Sequence, residues 1–169
     1  ILGGEKGDYS IINPNDDVNC GQSTNDVIPT AGKMTSLRLL KNLKKELLRL
    51  HKALCAKAKE FDHVIKMGRT QMQDAVPIRL GQEFNAYSVA VMRDIHRMDR
   101  AMEEMCTLNM GGTAVGTGIN ADEGYLRRIV PNLTEISGMD FIQAFDLIDS
   151  TQNLDPFVAV SGAVKACAV

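Results

Sequence analysis

The chain has 169 residues, with 19 Lys+Arg against 21 Asp+Glu and a formal charge of −2. A hydrophobic fraction of 44% beside 24% charged residues describes a globular chain of about one domain and excludes a disordered or fibrous one. The near-neutral balance, without a long basic block, argues against nucleic-acid and membrane-surface partners and points to small molecules or other proteins. No apolar run approaches the ~18 residues of a membrane span, and no basic-then-apolar leader opens the sequence. Cys20, Cys55, Cys106 and Cys167 form no C-x-x-C pair, so no zinc or dithiol redox spacing exists, and they read as reduced thiols in a cytoplasmic protein.

In chain order, residues 1–22 are rich in Gly, Asn, Asp and Pro, including Asn13-Pro14-Asn15-Asp16-Asp17, and read as an opening loop. Leu40, Leu43, Leu47, Leu50, Leu54 and Phe61 then recur at spacings of three, four or seven, which predicts a long helix over about 24–61. Ser23 or Thr24 as N-cap, Asp26 in the first turn and Pro29 near the beginning mark its start. A break at Lys66-Met67-Gly68-Arg69-Thr70 leads into Pro77. Leu80, Phe84, Tyr87, Val91, Ile95, Met98, Met102 and Met105 then predict a second long helix over about 78–107.

At 1.5 Å per residue the first helix would be roughly 55 Å long, whereas a compact globule of this length is roughly 40 Å across. The arithmetic favours an elongated helical bundle. A glycine-rich loop over 108–120 follows, with Gly111-Gly112-Thr113-Ala114-Val115-Gly116-Thr117-Gly118 at its centre. Shorter helices over 121–169 complete the chain. One spans about 121–137, is closed by Gly138 and is expected to be kinked or divided at Pro131; another falls within 143–149; a last one starts at Asp155 with Pro156 near its beginning. No strand is expected, so the predicted fold class is all-α. The sequence opens on Ile1 without an initiator Met and stops inside a helical pattern, which reads as part of a longer protein.

Three polar segments join helix ends to hydroxyls and amides, where a protein can bind carboxylates. In Gly21-Gln22-Ser23-Thr24-Asn25-Asp26, the free amides and partial positive charge of a helix N-terminus could hold an anion, but Ser-Thr-Asn-Asp before a helix is equally plain capping. The segment from Gly68 to Pro77 concentrates Arg69, Thr70, Gln71, Gln73 and Asp74, more donors and acceptors than a connector needs; Arg69 and Asp74 can also simply pair with each other. The glycine loop contains Gly116-x-Gly118-x-x-Ala121 with Asp140 about 20 residues on, yet no apolar strand precedes it, so the dinucleotide-binding context is missing. His51, His63 and His96 read as solvated helix residues, and Met98, Met102 and Met105 as core.

These segments carry a more specific likeness. Gln22-Ser23-Thr24-Asn25-Asp26-x-x-Pro29-Thr30, Met67-Gly68-Arg69-Thr70-Gln71-Met72-Gln73-Asp74-Ala75-Val76-Pro77 with Leu80-Gly81-Gln82-Glu83-Phe84, and Gly112-Thr113-Ala114-Val115-Gly116-Thr117-Gly118-Ile119-Asn120 resemble, in order and across the whole chain, the aspartase/fumarase superfamily. Within it the chain looks most like the aspartate ammonia-lyase branch, since class II fumarases usually carry His where Gln71 stands.

The resemblance implies the N-terminal part of a central domain made of long helices, assembled as a homotetramer, and reversible elimination of ammonia from L-aspartate to give fumarate without an organic cofactor; no residue is singled out as a metal ligand. It implies that Ser23, Thr24 and Asn25 contact the substrate's carboxylates and amino group. Thr70 would reach a carboxylate from another subunit, with Gln71 beside it. The family's mobile signature loop, which supplies the general-base serine, has no counterpart in these residues, so no catalytic base is expected here and the chain alone should be inactive. The alternatives are a fumarate hydratase or other superfamily lyase, or, for these residues alone, a non-catalytic helical oligomerisation module.

Overall fold

A computed structural model describes residues 2–169. The chain forms two compact units, one from Ile1–Ser36 with Glu103–Phe157 and the other from Leu37–Met102 with Val158–Val169. Five α-helices carry the architecture: α1 (Thr24–Glu60), α2 (Leu80–Met105), α3 (Glu123–Ser137), α4 (Leu147–Gln152) and α5 (Asp155–Ala168). The fold class is thus the long-helix, all-α one that the apolar periodicity predicts. Two small ladders are added: an antiparallel hairpin of β1 (Ile65–Thr70) with β2 (Gln73–Arg79), and a two-residue parallel pairing of β3 (Thr107–Leu108) with β4 (Ile142–Gln143).

The second unit is built on the apolar stripes. Leu40 and Leu47 from α1 bury against Ile95 and Met98 from α2, with Leu43, Leu48, Val91, Met92, Met102, Val160 and Cys167 packed around them. Leu50, which a strict heptad places on the same seam, is instead 47% exposed. An unsupercoiled helix drifts by about 20° per heptad, so the buried face moves on toward Leu48 and His51. The ion pair Lys44–Asp99 joins α1 to α2, and Lys66–Glu83 joins β1 to the first turn of α2.

The connector read as a break at 66–70 is a β-hairpin, the main correction to the sequence reading. Gln71 and Met72 both have positive φ, 50° and 61°, the geometry of a two-residue type I′ turn that matches strand twist. A bulge lies where the register shifts between Gly68 and Arg69. Gly68 is required there, because a Cβ would stand 2.8 Å from the Val76 carbonyl oxygen. Arg69 Nε pairs with Asp74 Oδ1 at 2.9 Å, the structural role the sequence left open for both.

In the first unit, Pro14–Val18 within the opening loop winds one π-helical turn capped by Asn13. Helix α3 is capped by Asp122, whose side chain accepts from the Tyr125 amide, and ends at Gly138 in the left-handed region at φ 64°. It runs unbroken through Pro131, so of the expected kink or division the division does not occur. Proline removes one amide donor, and the burial of neighbouring Val130 keeps the helix in place across that gap. Residues 142–143 are strand rather than helix, and the short helix starts only at Leu147.

Candidate functional site

The N-terminus of α1 is tied together by one carboxylate. Ser23 Oγ accepts the Asn25 amide at 3.1 Å, while Asp26 Oδ1 accepts the Ser23 amide at 2.9 Å, a reciprocal box that satisfies two otherwise free donors. Asp26 is completely buried, and its Oδ2 accepts the amides of Gly111 at 3.3 Å and Thr113 at 3.0 Å. The glycine loop is therefore fastened to the helix start through Asp26. Thr113 has φ 57° and Gly111 φ 91°, the backbone shape that turns both amides to one acceptor.

Asn25 is held by the same loop. Its Nδ2 donates to the Ala114 carbonyl at 2.6 Å, and Asn109 Nδ2 donates to the Asn25 backbone carbonyl at 3.0 Å and to Thr151 Oγ1 at 3.1 Å. The amide oxygen of Asn25 is left as an acceptor. Ser23 still has its hydroxyl proton to donate. Thr24 is exposed, and its hydroxyl makes no hydrogen bond among the described residues. Ser23, Thr24 and Asn25 thus form one cluster, with capping and ligand-directed capacity in the same three side chains.

The glycine loop has a packing role rather than a dinucleotide-binding one. A Cβ on Gly116, at φ 91°, would stand 2.4 Å from backbone atoms of Ile148, so the glycine permits close approach of the start of α4. The strand preceding the loop is only Thr107–Leu108. Nearby, buried Lys33 donates to the Thr107 carbonyl at 2.6 Å; burial lowers its pKa from the ordinary 10.5, against an opposing pull from Asp155. Tyr125 is pushed above 10.0 by burial and then by the charge of Asp26, and its hydroxyl is buried without a hydrogen-bond partner.

Thr70 and Gln71 belong to the other unit. Thr70 pairs with Gln73 as the last rung of the hairpin, and Gln71 opens its turn; both are exposed. The sequence reading did not single out the tie made by Asp26 and Asn109. Serine followed three residues later by an acid was a visible signal for Asp26, whereas nothing local marks Asn109. Also missed was His51, read as solvated: it is half-buried and bonded to the Ser88 carbonyl. Among the described residues no cluster of three or more His, Cys, Asp or Glu is arranged to hold a metal, and no helix is long and apolar enough to cross a membrane.

Known proteins resemble this chain. The chain is 51% identical over 167 residues to an aspartate ammonia-lyase of Bacillus subtilis (strain 168), covering 99% of this chain and 35% of that protein. It is 48% identical to one from Helicobacter pylori (strain ATCC 700392 / 26695), covering 99% of this chain and 36% of that protein. Among solved structures, a fumarate lyase:delta crystallin from Brucella melitensis, bound to cobalt, superposes with a TM-score of 0.94 at 43% identity, over 99% of this chain and 36% of that one. A class II fumarase from Schistosoma mansoni superposes with a TM-score of 0.86 at 32% identity, over 94% of this chain and 36% of that one. The fold is that of the helical fumarate lyases. A family described as Lyase matches residues 1–169, and the chain belongs to that family. It spans about 35% of the length of the curated relatives it matches.

Proposed function

We propose that this chain supplies substrate-holding segments of an aspartate ammonia-lyase, which reversibly eliminates ammonia from L-aspartate to give fumarate. The observation that carries this is the 51% identity to the Bacillus subtilis enzyme across 99% of the chain. In this reading the hydroxyls of Ser23 and Thr24, at the positive end of α1, donate to a substrate carboxylate, and the Asn25 amide oxygen accepts from the amino group. Thr70, with Gln71 beside it, offers a hydroxyl donor to a carboxylate at a site completed by another subunit of a homotetramer. The general base comes from a segment outside these residues.

Such donors accelerate elimination when they bind the doubly charged aci-carboxylate of the carbanion more strongly than the ground-state carboxylate. The fastening of Ser23 and Asn25 to the glycine loop supports this role, because a donor set fixed beforehand needs little reorganisation as charge develops. This reading places the protein in the cytoplasm.

The test replaces the matching segment of the Bacillus subtilis enzyme with this chain and follows fumarate by its ultraviolet absorbance. The chimera should release fumarate from L-aspartate and not from L-malate, while the 169-residue chain alone stays silent. In the chimera, Thr24→Val or Thr70→Val should lower kcat/KM by more than about tenfold. A folded chimera that is inactive on aspartate would sink the reading, and turnover of malate would move it to a fumarate hydratase.

A further inference from the structure

Helix α1 carries Pro29 inside its opening turns. In an α-helix the carbonyl of one residue accepts the amide four residues on, and Ser23 follows this rule, its carbonyl accepting the Val27 amide at 3.0 Å. The partner due to the Asn25 carbonyl is the nitrogen of Pro29, which has no proton to give. The proline thus opens one acceptor in the helix, at the very residue that the proposed function assigns to the amino group of the substrate.

Asn109 fills that gap. Its Nδ2 donates to the Asn25 carbonyl at 3.0 Å and to Thr151 Oγ1, on α4, at 3.1 Å. Its own backbone carbonyl accepts the Gly112 amide at 3.0 Å, so the donor is fixed at both ends. The residue is completely buried, and its Oδ1 has no hydrogen-bond partner. Burying an unpaired acceptor costs free energy that a leucine would avoid. What this position gains from asparagine is therefore the pair of N–H donors.

The side chain of Asn25 is set from the same loop, its Nδ2 donating to the Ala114 carbonyl at 2.6 Å. A carbonyl only accepts, so this contact decides which way round the amide lies and leaves Oδ1 as the outward acceptor. Anchored at its backbone by Asn109 and at its side chain by Ala114, Asn25 presents that oxygen in one orientation. No hydrogen bond joins the Asn109 side chain to Ser23 or Thr24, the donors for the carboxylates. Loosening Asn109 weakens the hold on the amine first.

We propose that Asn109 is a positioning residue for the amine end of the substrate: it supplies the donor that Pro29 withholds from the Asn25 carbonyl, and so holds the Asn25 amide oxygen where an ammonium group donates to it. This rests on the ammonia-lyase reading, in which Asn25 accepts from the amino group.

The test uses the chimera with the Bacillus subtilis enzyme and two ligands that differ at the amine: L-aspartate as substrate, and succinate, the same dicarboxylate without an amino group, as competitive inhibitor. Asn109→Leu should lower kcat/KM for L-aspartate about tenfold and raise the Ki of succinate less than about twofold, a split that a general loosening of the site does not give. Adding Pro29→Ala returns an amide proton to the Asn25 carbonyl and should recover about fivefold of the loss. Thr151→Val frees only the second anchor of Asn109 and keeps the side-chain shape, so it serves where the leucine variant does not assemble. It should lower kcat/KM about threefold with the Ki of succinate unchanged. The inference fails if aspartate turnover and succinate affinity fall together, if Pro29→Ala recovers nothing, or if the variants keep wild-type values. A chimera of unaltered sequence that is silent on aspartate sinks the ammonia-lyase reading and this inference with it, whereas an active one leaves the variants to decide on Asn109 alone.

Discussion

Asp26 and Thr113 are joined across 87 residues of sequence: the buried Asp26 Oδ2 accepts the Thr113 amide at 3.0 Å. The same carboxylate holds the amides of Ser23 and Gly111, so removing it strands three donors at once. Asp26→Ala should destabilise the chain by about 3 kcal/mol or more, and Asp26→Asn, which keeps one acceptor, by about 1–2 kcal/mol. Urea unfolding of both variants checks this; a cost below about 1 kcal/mol for the alanine variant would mean that water replaces the carboxylate.

Ser23 and Thr24 should separate stability from turnover. Ser23→Ala loses the cap and should cost about 1 kcal/mol, in addition to lowering activity in the chimera. Thr24→Val removes an exposed hydroxyl outside any internal hydrogen bond and should leave the unfolding midpoint nearly unchanged while turnover falls. Equal stability losses from the two substitutions would contradict this division.

Met72 is 93% exposed and sits at φ 61°, a conformation that costs a non-glycine residue about 1 kcal/mol. Met72→Gly relieves that strain without losing packing, and its net gain after backbone entropy should be about 0.5 kcal/mol. Hydrogen exchange of the hairpin amides reads the effect locally; faster exchange in the glycine variant would show that the turn is held by something other than local backbone preference.

Tyr125 gives a pH dependence with a defined sign. Its pKa is raised in the folded chain, so above pH 10.0 the unfolded chain loses the phenolic proton first and stability falls as pH rises through the folded value. Tyr125→Phe abolishes this contribution. Because the wild-type hydroxyl is buried without a partner, the variant should be as stable as wild type or slightly more so at neutral pH, and its advantage should grow above pH 10.0. Parallel unfolding curves at the two pH values measure it, and a constant difference would rule it out.

The helices were legible because Leu40, Leu47, Ile95 and Met98 write a period that only a helix can bury, and Gly138 marks a stop that requires positive φ. The hairpin was not legible. Its turn is Gln71-Met72 rather than an Asn-Gly pair, and the bulge, which leaves Ala75 of β2 without a partner opposite Gly68 and Arg69, breaks the two-residue alternation that announces a strand. Pro131 does not divide α3, since the packing of Val130 outweighs one missing amide. The cluster at Ser23–Asn25 showed its residue types in the sequence but not its fastening: Asn109 and Ala114 lie more than 80 residues away, and no local pattern encodes such partners. His51 was misplaced because its burial follows the drift of a straight helix rather than a fixed heptad.

The hairpin also shapes how Thr70 can bind. Two strands with Ile65 and Val76 open to solvent, joined by a turn that exposes Met72, have little folding free energy of their own in water. A ligand or neighbouring chain that grips the tip therefore pulls on a local folding equilibrium as well as on a hydroxyl. Part of the intrinsic attraction goes into ordering the strands, and the observed affinity is lower by that amount. Thermodynamic linkage makes the converse hold: whatever braces β1 and β2 tightens binding at Thr70 without touching the ligand.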